Sequence, residues 1–159
     1  MGGIRIKEGD IFCVKLESDK KFFQYIISDV TMLNSYVIRV FKMSYPIDKL
    51  PDLSEIVKDQ VDFYAHVFLR AGLKFGFWEK VGNVSDVGTA EVLFRHTNDW
   101  IDPKVKVSDK WQVWKANEPF ISIGKLTGRY KDSEIGVVLS PVNILDRMRT
   151  GKYKSSFPS

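Results

Sequence analysis

Hydrophobic and polar side chains alternate along several short stretches of this chain, and alternation at period two is typical of half-buried β-strands. Residues 61–70 show it most clearly, because every odd-numbered position is apolar and the even-numbered positions are mostly polar. Gly72 and Gly76 follow, before an aromatic-rich segment that ends at Asn83. Glycine accepts positive φ at little cost, so the pattern predicts a strand, a tight turn and a second strand over residues 63–83.

Similar patterns predict further strands on both sides of this unit. We expect strands at residues 11–16, 21–29, 36–44, 110–115, 120–126 and 134–139. The first two lie close enough in sequence to form a hairpin. Residues 90–95 fit either a strand or a helical turn, whereas residues 98–103 have the composition of a loop.

Two segments carry helix signals instead. Ser140 is a good N-cap, Pro141 fits the first helical position, and Gly151 supplies a C-terminal stop. Apolar residues recur at helical spacing between them, so we expect a helix over about residues 141–150. Residues 52–57 form at most a short helix, with Asp52 as its N-cap.

About eight short strands, one short helix and one terminal helix indicate a mainly β protein of the α+β class. We expect a strongly curved, mostly antiparallel sheet or a partly open barrel, with the short helix and the C-terminal helix packed on it. A chain of 159 residues is expected to form a single domain over residues 1–159. Folding at this length buries roughly 70% of the unfolded surface, so the fold requires neither a disulfide nor a metal.

The amino-acid composition indicates in which cellular compartment the protein is expected. The single cysteine, Cys13, excludes an intrachain disulfide and a cysteine-based zinc cluster, and it favours a reducing environment. The first residues lack the apolar region of a secretory signal, and no apolar run approaches the roughly 20 residues that span a bilayer. We therefore expect a soluble cytoplasmic protein with no membrane partner.

The net charge is +4, and the basic excess sits mainly in the C-terminal tail. There, Arg147, Arg149, Lys152 and Lys154 follow the last acidic residue of the chain, Asp146, and whether this tail binds anything is left open. This bias is weaker than the concentrated basic face of a typical nucleic-acid-binding protein.

No pattern in the sequence predicts catalysis. His66 and His96 are the only histidines, and His66 shares a strand face with Asp62 and Arg70. Residues four apart in a strand are separated by about 13 Å, which is too far for an acid–base pair. Cys13 has strand-like neighbours and no nucleophile turn. We therefore expect no enzyme activity, no cofactor and no metal site.

The tryptophans give a more useful signal. Trp111 and Trp114 point to opposite sides of a regular strand, so one of them would lie on the outer surface unless both are buried under the terminal helix. Exposed aromatic residues near cations suit a protein partner or stacked bases. The residues we expect to contact a partner are Tyr64, His66, Arg70, Trp78, Lys80 and Trp114.

Three blocks resemble a known family. They are Glu8-Gly-Asp-Ile-Phe12, Phe22-Phe-Gln-Tyr25, and Val61-Asp-Phe63 followed by the stretch from Ala71 to Gly82 that contains Leu-Lys, Gly76 and Trp78. Together they are similar to the immunity protein 26 family of bacterial polymorphic toxin systems, over about residues 7–84. The chain departs from the family pattern at Phe77, where a basic residue is expected, and at Gln24, where glycine is common.

The resemblance implies a small, mostly β cytoplasmic protein that binds and neutralises a cognate toxin without an active site. Our first hypothesis is therefore an immunity-type inhibitor that acts through non-covalent protein–protein contact. The alternative is a small nucleic-acid-binding β-barrel, based on the pI of about 9.1 and on aromatic residues near basic ones. The sequence identifies neither the toxin nor the oligomeric state.

Overall fold

A computed structural model describes residues 5–89, 91–154 and 157–159. These residues form eleven strands, three α-helices and two 3₁₀ turns, the turns at Asn98–Ile101 and Gly128–Asp132. The strands are β1 (Asp10–Lys15), β2 (Asp19–Asp29), β3 (Ser35–Phe41), β4 (Tyr45–Pro46), β5 (Val61–Val67), β6 (Glu79–Asn83), β7 (Phe94–His96), β8 (Trp111–Trp114), β9 (Ile121–Gly124), β10 (Glu134–Ile135) and β11 (Val138–Leu139). The helices are α1 (Leu53–Lys58), α2 (Leu69–Lys74) and α3 (Pro141–Thr150).

The strands form two sheets. The first sheet has the order β11-β5-β3-β2-β1-β6, with β4 paired to β2, and the second has the order β10-β7-β8-β9. Most neighbours are antiparallel, but β11 pairs with β5 and β10 pairs with β7 in parallel. The predicted α+β class is confirmed, and the curved, mostly antiparallel sheet is realised as two mixed sheets that do not close into a barrel within the described ranges.

The first sheet is buried on both faces. One face packs against α2 and α3 in a helix-side core that contains Phe12, Phe23, Ile38, Phe63, Trp78, Ile144, Leu145 and Met148. The other face is covered at one end by α1 and at the other end by the second sheet. The second-sheet core contains Ile26, Val37, Phe94, Trp114 and Ala116. Because both faces are covered, the polar residues on this sheet need partners inside the protein.

Several predicted elements are confirmed. The first two strands form the expected hairpin, in which Phe12 lies opposite Phe23. The terminal helix occupies Pro141–Thr150, where the Ser140 side chain accepts a hydrogen bond from the Asn143 N–H and Gly151 adopts the left-handed conformation. Asp52 stands at the N-cap of α1 as predicted, but its side chain makes no capping hydrogen bond.

The predicted tight turn between β5 and β6 is wrong, because residues Leu69–Lys74 form the helix α2. The helix ends in a Schellman motif, in which the Phe77 N–H bonds the Gly72 carbonyl and the Gly76 N–H bonds the Leu73 carbonyl. Gly76 has a φ of +77°, so it supplies the left-handed residue that this motif requires. Gly76 therefore ends a helix instead of forming a hairpin turn, and Gly72 lies within that helix.

The predicted strand over residues 134–139 is interrupted. Its first half, β10, joins the second sheet, and its second half, β11, joins the first. Gly136 lies between them, where a Cβ would overlap the Trp114 ring. Residues 98–103 begin with a 3₁₀ turn that the Thr97 side chain caps, and the strand near 90–95 is Phe94–His96. Ala90, at the start of that predicted segment, lies outside the described residues.

Candidate partner-binding surface

Two of the six residues predicted to contact a partner, His66 and Trp114, lie in a polar cluster buried between the two sheets. The carboxylate of Asp29, at the end of β2, accepts a hydrogen bond of 2.9 Å from His66 Nε2 and one of 2.8 Å from Trp114 Nε1. All three side chains are essentially inaccessible, with exposures of 0% for Asp29 and His66 and 1% for Trp114. These residues connect the two sheets and have no surface to offer a partner.

Further donors complete the shell of Asp29. Its Oδ1 atom accepts hydrogen bonds from the backbone N–H groups of Thr31, Met32 and Asn117. Burial alone would raise the pKa of Asp29, but the hydrogen bonds from Trp114, His66 and these amides lower it to about 2. Asp29 is therefore ionised at neutral pH and acts only as an acceptor.

His66 is neutral in this cluster. Burial lowers its pKa more than the hydrogen bond and the charge of Asp29 raise it. The proton of the neutral ring lies on Nε2, which donates to the carboxylate, and Nδ1 has no hydrogen-bond partner in the described part of the chain. A neutral, enclosed imidazole beside an ionised carboxylate has no access to a substrate, so the pair is structural.

Trp78 is also buried, with an exposure of 4%. Its ring packs edge-on against Phe23, and its Nε1 atom donates a 3.1 Å hydrogen bond to the Leu69 carbonyl at the start of α2. The ring lies directly over Gly72, where any Cβ would overlap the indole. Trp78 therefore fixes α2 against the first sheet, and almost none of its surface is exposed.

The remaining three predicted residues lie at or near the surface. Tyr64 is half-buried beside the second-sheet core, and its backbone N–H donates to the side chain of Glu134. Arg70, on α2, is exposed and donates to the Tyr36 hydroxyl at 3.1 Å. Lys80, on β6, is exposed and forms a 3.2 Å ion pair with the buried Asp10. Arg70 and Lys80 therefore both belong to the segment that runs from α2 to β6.

The segment from α2 to β6 borders a cleft of about 770 Å³. We call it the β6 groove, and its lining consists of Cys13, Lys15, Leu73 and residues 76–82. The β1–β6 pairing ends at Cys13 and Glu79, so β1 continues to Lys15 beyond the first residue of β6. The groove therefore begins where the edge of β1 is left uncovered by β6.

Exposed apolar side chains flank this groove. Phe75, at the end of α2, is 68% exposed, and Val81, on β6, is 41% exposed. Phe68, at the other end of α2, is 54% exposed and lies beside Arg70 in a smaller, mostly apolar cleft of about 290 Å³. Large exposed aromatic residues next to cations are the composition of protein-binding surfaces.

Phe75, Val81, Phe68 and Lys15 were missed by sequence reasoning. The odd–even pattern placed the apolar residues of this region inside a hairpin, where their exposure could not be distinguished from burial. One local signal was present, because Lys74 and Phe75 directly precede the helix-ending Gly76.

Three of the four C-terminal cations lie within ion-pair distance of a carboxylate. Arg147 lies 3.2 Å from Glu134, Arg149 lies 3.5 Å from Glu17, and Lys154 lies 3.7 Å from Asp146. Glu134 and Glu17 are distant in sequence from their partners, so the tail has acidic neighbours that its local sequence does not show. The pairing reduces the basic field that would attract a nucleic acid.

Gln24, one of the two departures from the family pattern, holds the loop after β6 in place. Its side-chain amide donates to the carbonyls of Gly9, Val84 and Asp86, and its oxygen accepts a 2.8 Å hydrogen bond from Arg39. Arg39 donates in turn to the Asp86 carbonyl. Glycine at this position would leave the loop carbonyls without these donors.

Cys13, the two histidines and the acidic residues are the side chains that could bind a metal ion. Cys13 is buried, and burial raises the pKa of its thiol. Residues 5–89, 91–154 and 157–159 hold no group of three or more His, Cys, Asp or Glu side chains placed to bind a metal ion. In the same ranges, none of the helices combines the length and hydropathy needed to cross a membrane.

Comparison with known proteins gives a family match. The model of immunity protein 26 matches residues 7–106, which is more than half of the chain. The matched range includes α2, β6 and every residue that lines the β6 groove. Searches of curated proteins and of solved structures find no match.

Proposed function

This chain belongs to the immunity protein 26 family, and from that premise we propose that it binds and neutralises a cognate bacterial toxin domain by non-covalent contact, without catalysis. The family match over residues 7–106 is the observation that carries the proposal. The protein acts in the cytoplasm of the cell that makes the toxin, where the single buried thiol needs no oxidising environment.

The surface around α2 and β6 supports this function. It combines exposed aromatic residues with cations, and it rests on a sheet that is buried on both faces. A rigid support reduces the entropy lost when a partner binds. Arg70 and Lys80 contact the toxin in this proposal, whereas Trp78, His66 and Trp114 support the surface from within.

Growth rescue and direct binding test the proposal. The toxin domain encoded by the neighbouring gene is produced with and without this protein, and an inactive toxin variant is titrated calorimetrically with purified protein. We expect restored growth and saturable binding with a defined stoichiometry. Absence of both binding and rescue would overturn the proposal.

Stoichiometry distinguishes binding from catalysis. A non-covalent inhibitor blocks toxin activity in proportion to the amount bound, so toxin activity should reach zero at the binding ratio found calorimetrically. Inactivation of excess toxin by a small amount of this protein would instead indicate turnover and would contradict the mechanism.

A further inference from the structure

We propose that the β6 groove binds an extended, acidic segment of the toxin partner that carries a large apolar anchor residue. This inference rests on the proposed function and specifies where the partner docks and what chemistry it presents. Shape, charge and main-chain accessibility each contribute to it.

The shape of the groove favours an apolar anchor. Its volume of about 770 Å³ lies within the range of small-molecule and side-chain pockets, and its walls include Leu73, Phe77 and the edge of Trp78. Val81 also lines the groove, and the exposed Phe75 directly precedes the lining segment 76–82. A large apolar side chain in the groove would contact Leu73, Phe77 and Trp78, and such an anchor in a pocket is typical of an interface hot spot.

The charge around the groove favours an acidic partner. Lys15 and Lys80 line it, and Lys74 lies at the end of the adjacent α2, whereas Arg70 lines the smaller cleft at the other end of that helix. Two carboxylates are nearby: Glu79, which lines the groove, and Asp10, which is buried and paired with Lys80. Three cations against two carboxylates leave a positive excess at the rim, and complementary acidic side chains would accelerate association.

The backbone at this edge favours an extended segment. The groove contacts Glu79, Lys80, Val81 and Gly82 in succession, and successive strand residues point to opposite faces. A cleft that touches all four must therefore run along the edge of the strand. In the described part of the chain β6 pairs only with β1, so its outer edge is available for main-chain hydrogen bonds.

Paired variants test this inference with the inactive toxin domain as the probe. Phe75→Ser removes the exposed aromatic residue, and the double variant Lys15→Glu with Lys74→Glu reverses the charge of the rim. We expect affinity to fall about thirtyfold for the first and at least about tenfold for the second. Circular dichroism and thermal unfolding confirm that each variant is folded.

Matched controls lie on other surfaces. Leu50→Ser removes a side chain that is 89% exposed on the loop before α1. The double variant Lys104→Glu with Lys125→Glu changes the net charge by the same amount as the rim variant, at two exposed positions. Both controls should bind within about twofold of wild type, because long-range charge effects are screened beyond about 10 Å at 0.1 M salt.

Two further measurements address the charge and the backbone. Wild-type affinity should weaken as salt is raised, and the rim variant should lose most of this dependence. Amide hydrogen exchange at residues 79–83 should slow in the complex if the partner pairs with β6. Unchanged exchange there would contradict the extended mode.

The outcomes separate the two proposals. If wild type does not bind the toxin, the proposed function fails. If wild type binds and the groove variants bind equally well, only the groove assignment is overturned. The assignment is also overturned if Phe75→Ser converts a wild-type homodimer to monomer without affecting toxin binding, or if the rim charges serve only to bind mixed-sequence nucleic acid.

Discussion

At the scale of single residues, Asp29 connects the two sheets. Its carboxylate joins the end of β2 to β5 through His66 and to β8 through Trp114. Charge-assisted hydrogen bonds of this kind are about twice as strong as neutral ones. The cost of burying the charge is offset because both oxygens have several donors.

Stability should therefore fall on acidification. The folded-state pKa of Asp29 is lowered to about 2 from 3.8, so the ionised carboxylate stabilises the fold above pH 3.8 and loses this effect as pH falls toward 2. The loss amounts to about 2 kcal/mol. The lowered pKa of His66 acts in the same direction below pH 6.5, because the unfolded state then binds the extra proton. Urea unfolding measured across this pH range tests the prediction.

Asp29→Asn provides the comparison. The new carboxamide has only one acceptor oxygen, so at pH 7 it cannot accept all the hydrogen bonds that reach the carboxylate. We expect the folded protein to be destabilised by about 2–4 kcal/mol. The difference in unfolding free energy between this variant and wild type should become smaller as pH falls from 4 to 2. Asp52→Asn, at an exposed cap without a side-chain hydrogen bond, should show no such convergence. A constant gap for Asp29→Asn would rule out ionisation as the cause.

Gly72→Ala should destabilise the protein even though alanine favours helices. The new Cβ would overlap the Trp78 ring, and overpacking of this kind costs about 1–3 kcal/mol. Thermal unfolding of the single variant measures the cost. The double variant Gly72→Ala with Trp78→Phe should lose less stability than the two single variants lose in sum. Stabilisation by Gly72→Ala alone would show that helix propensity outweighs the overlap.

Burial of individual residues was the least predictable property. His66 was expected on a partner surface because it shares a polar strand face with Asp62 and Arg70, and Trp114 because Trp111 and Trp114 point to opposite sides of a regular strand. Asp29 is 37 residues from His66 and 85 from Trp114. A strand pattern shows which residues share a face, but only the tertiary fold brings their hydrogen-bond partners to them.

At the scale of elements, α3 was predicted with its bounds because all of its signals are local. The cap, the proline, the apolar spacing and the final glycine lie within the helix or next to it. By contrast, α2 was missed, since it has only six residues and contains a glycine that helix propensity disfavours. It is a helix because Trp78 packs on Gly72 and because the Schellman motif ends it.

The cap of α3 should contribute measurably to stability. Ser140→Ala removes the hydrogen bond that the side chain accepts from the Asn143 N–H, and we expect a loss of about 1 kcal/mol in the free energy of unfolding. Asp52→Ala at the start of α1 is the matched control, because that side chain makes no capping bond, and it should cost less than about 0.5 kcal/mol. If both variants lost the same free energy of unfolding, the capping hydrogen bond would not explain the effect of Ser140→Ala.

At the scale of the molecule, the two sheets should unfold together, as expected of a single domain. They share the second-sheet core, the Asp29 cluster and the contact of Glu134 with both Tyr64 and Arg147. In a Trp78→Phe variant, the remaining tryptophans report on the second sheet and its surroundings. Denaturation followed by their fluorescence and by far-UV circular dichroism should give the same midpoint. Two separate midpoints would indicate two domains.

The family and the class of fold were predictable from short motifs and strand patterns. The candidate surface was predictable only in part. Arg70 and Lys80 were selected because cations near aromatic residues suit a partner. Phe75 and Lys15 were not, because their exposure depends on α2 being a helix and on β1 extending beyond β6.

The placement of α3 over the helix-side core has a consequence during synthesis. The strands from β1 to β5 are complete once Val67 has been added, but α3 ends at Thr150, about 80 residues later. At roughly 5–20 residues per second, the ribosome needs about 4–16 seconds to make that interval. Throughout that time the apolar face of the nascent sheet lacks its final cover, so a newly made chain exposes apolar surface until α3 has been added.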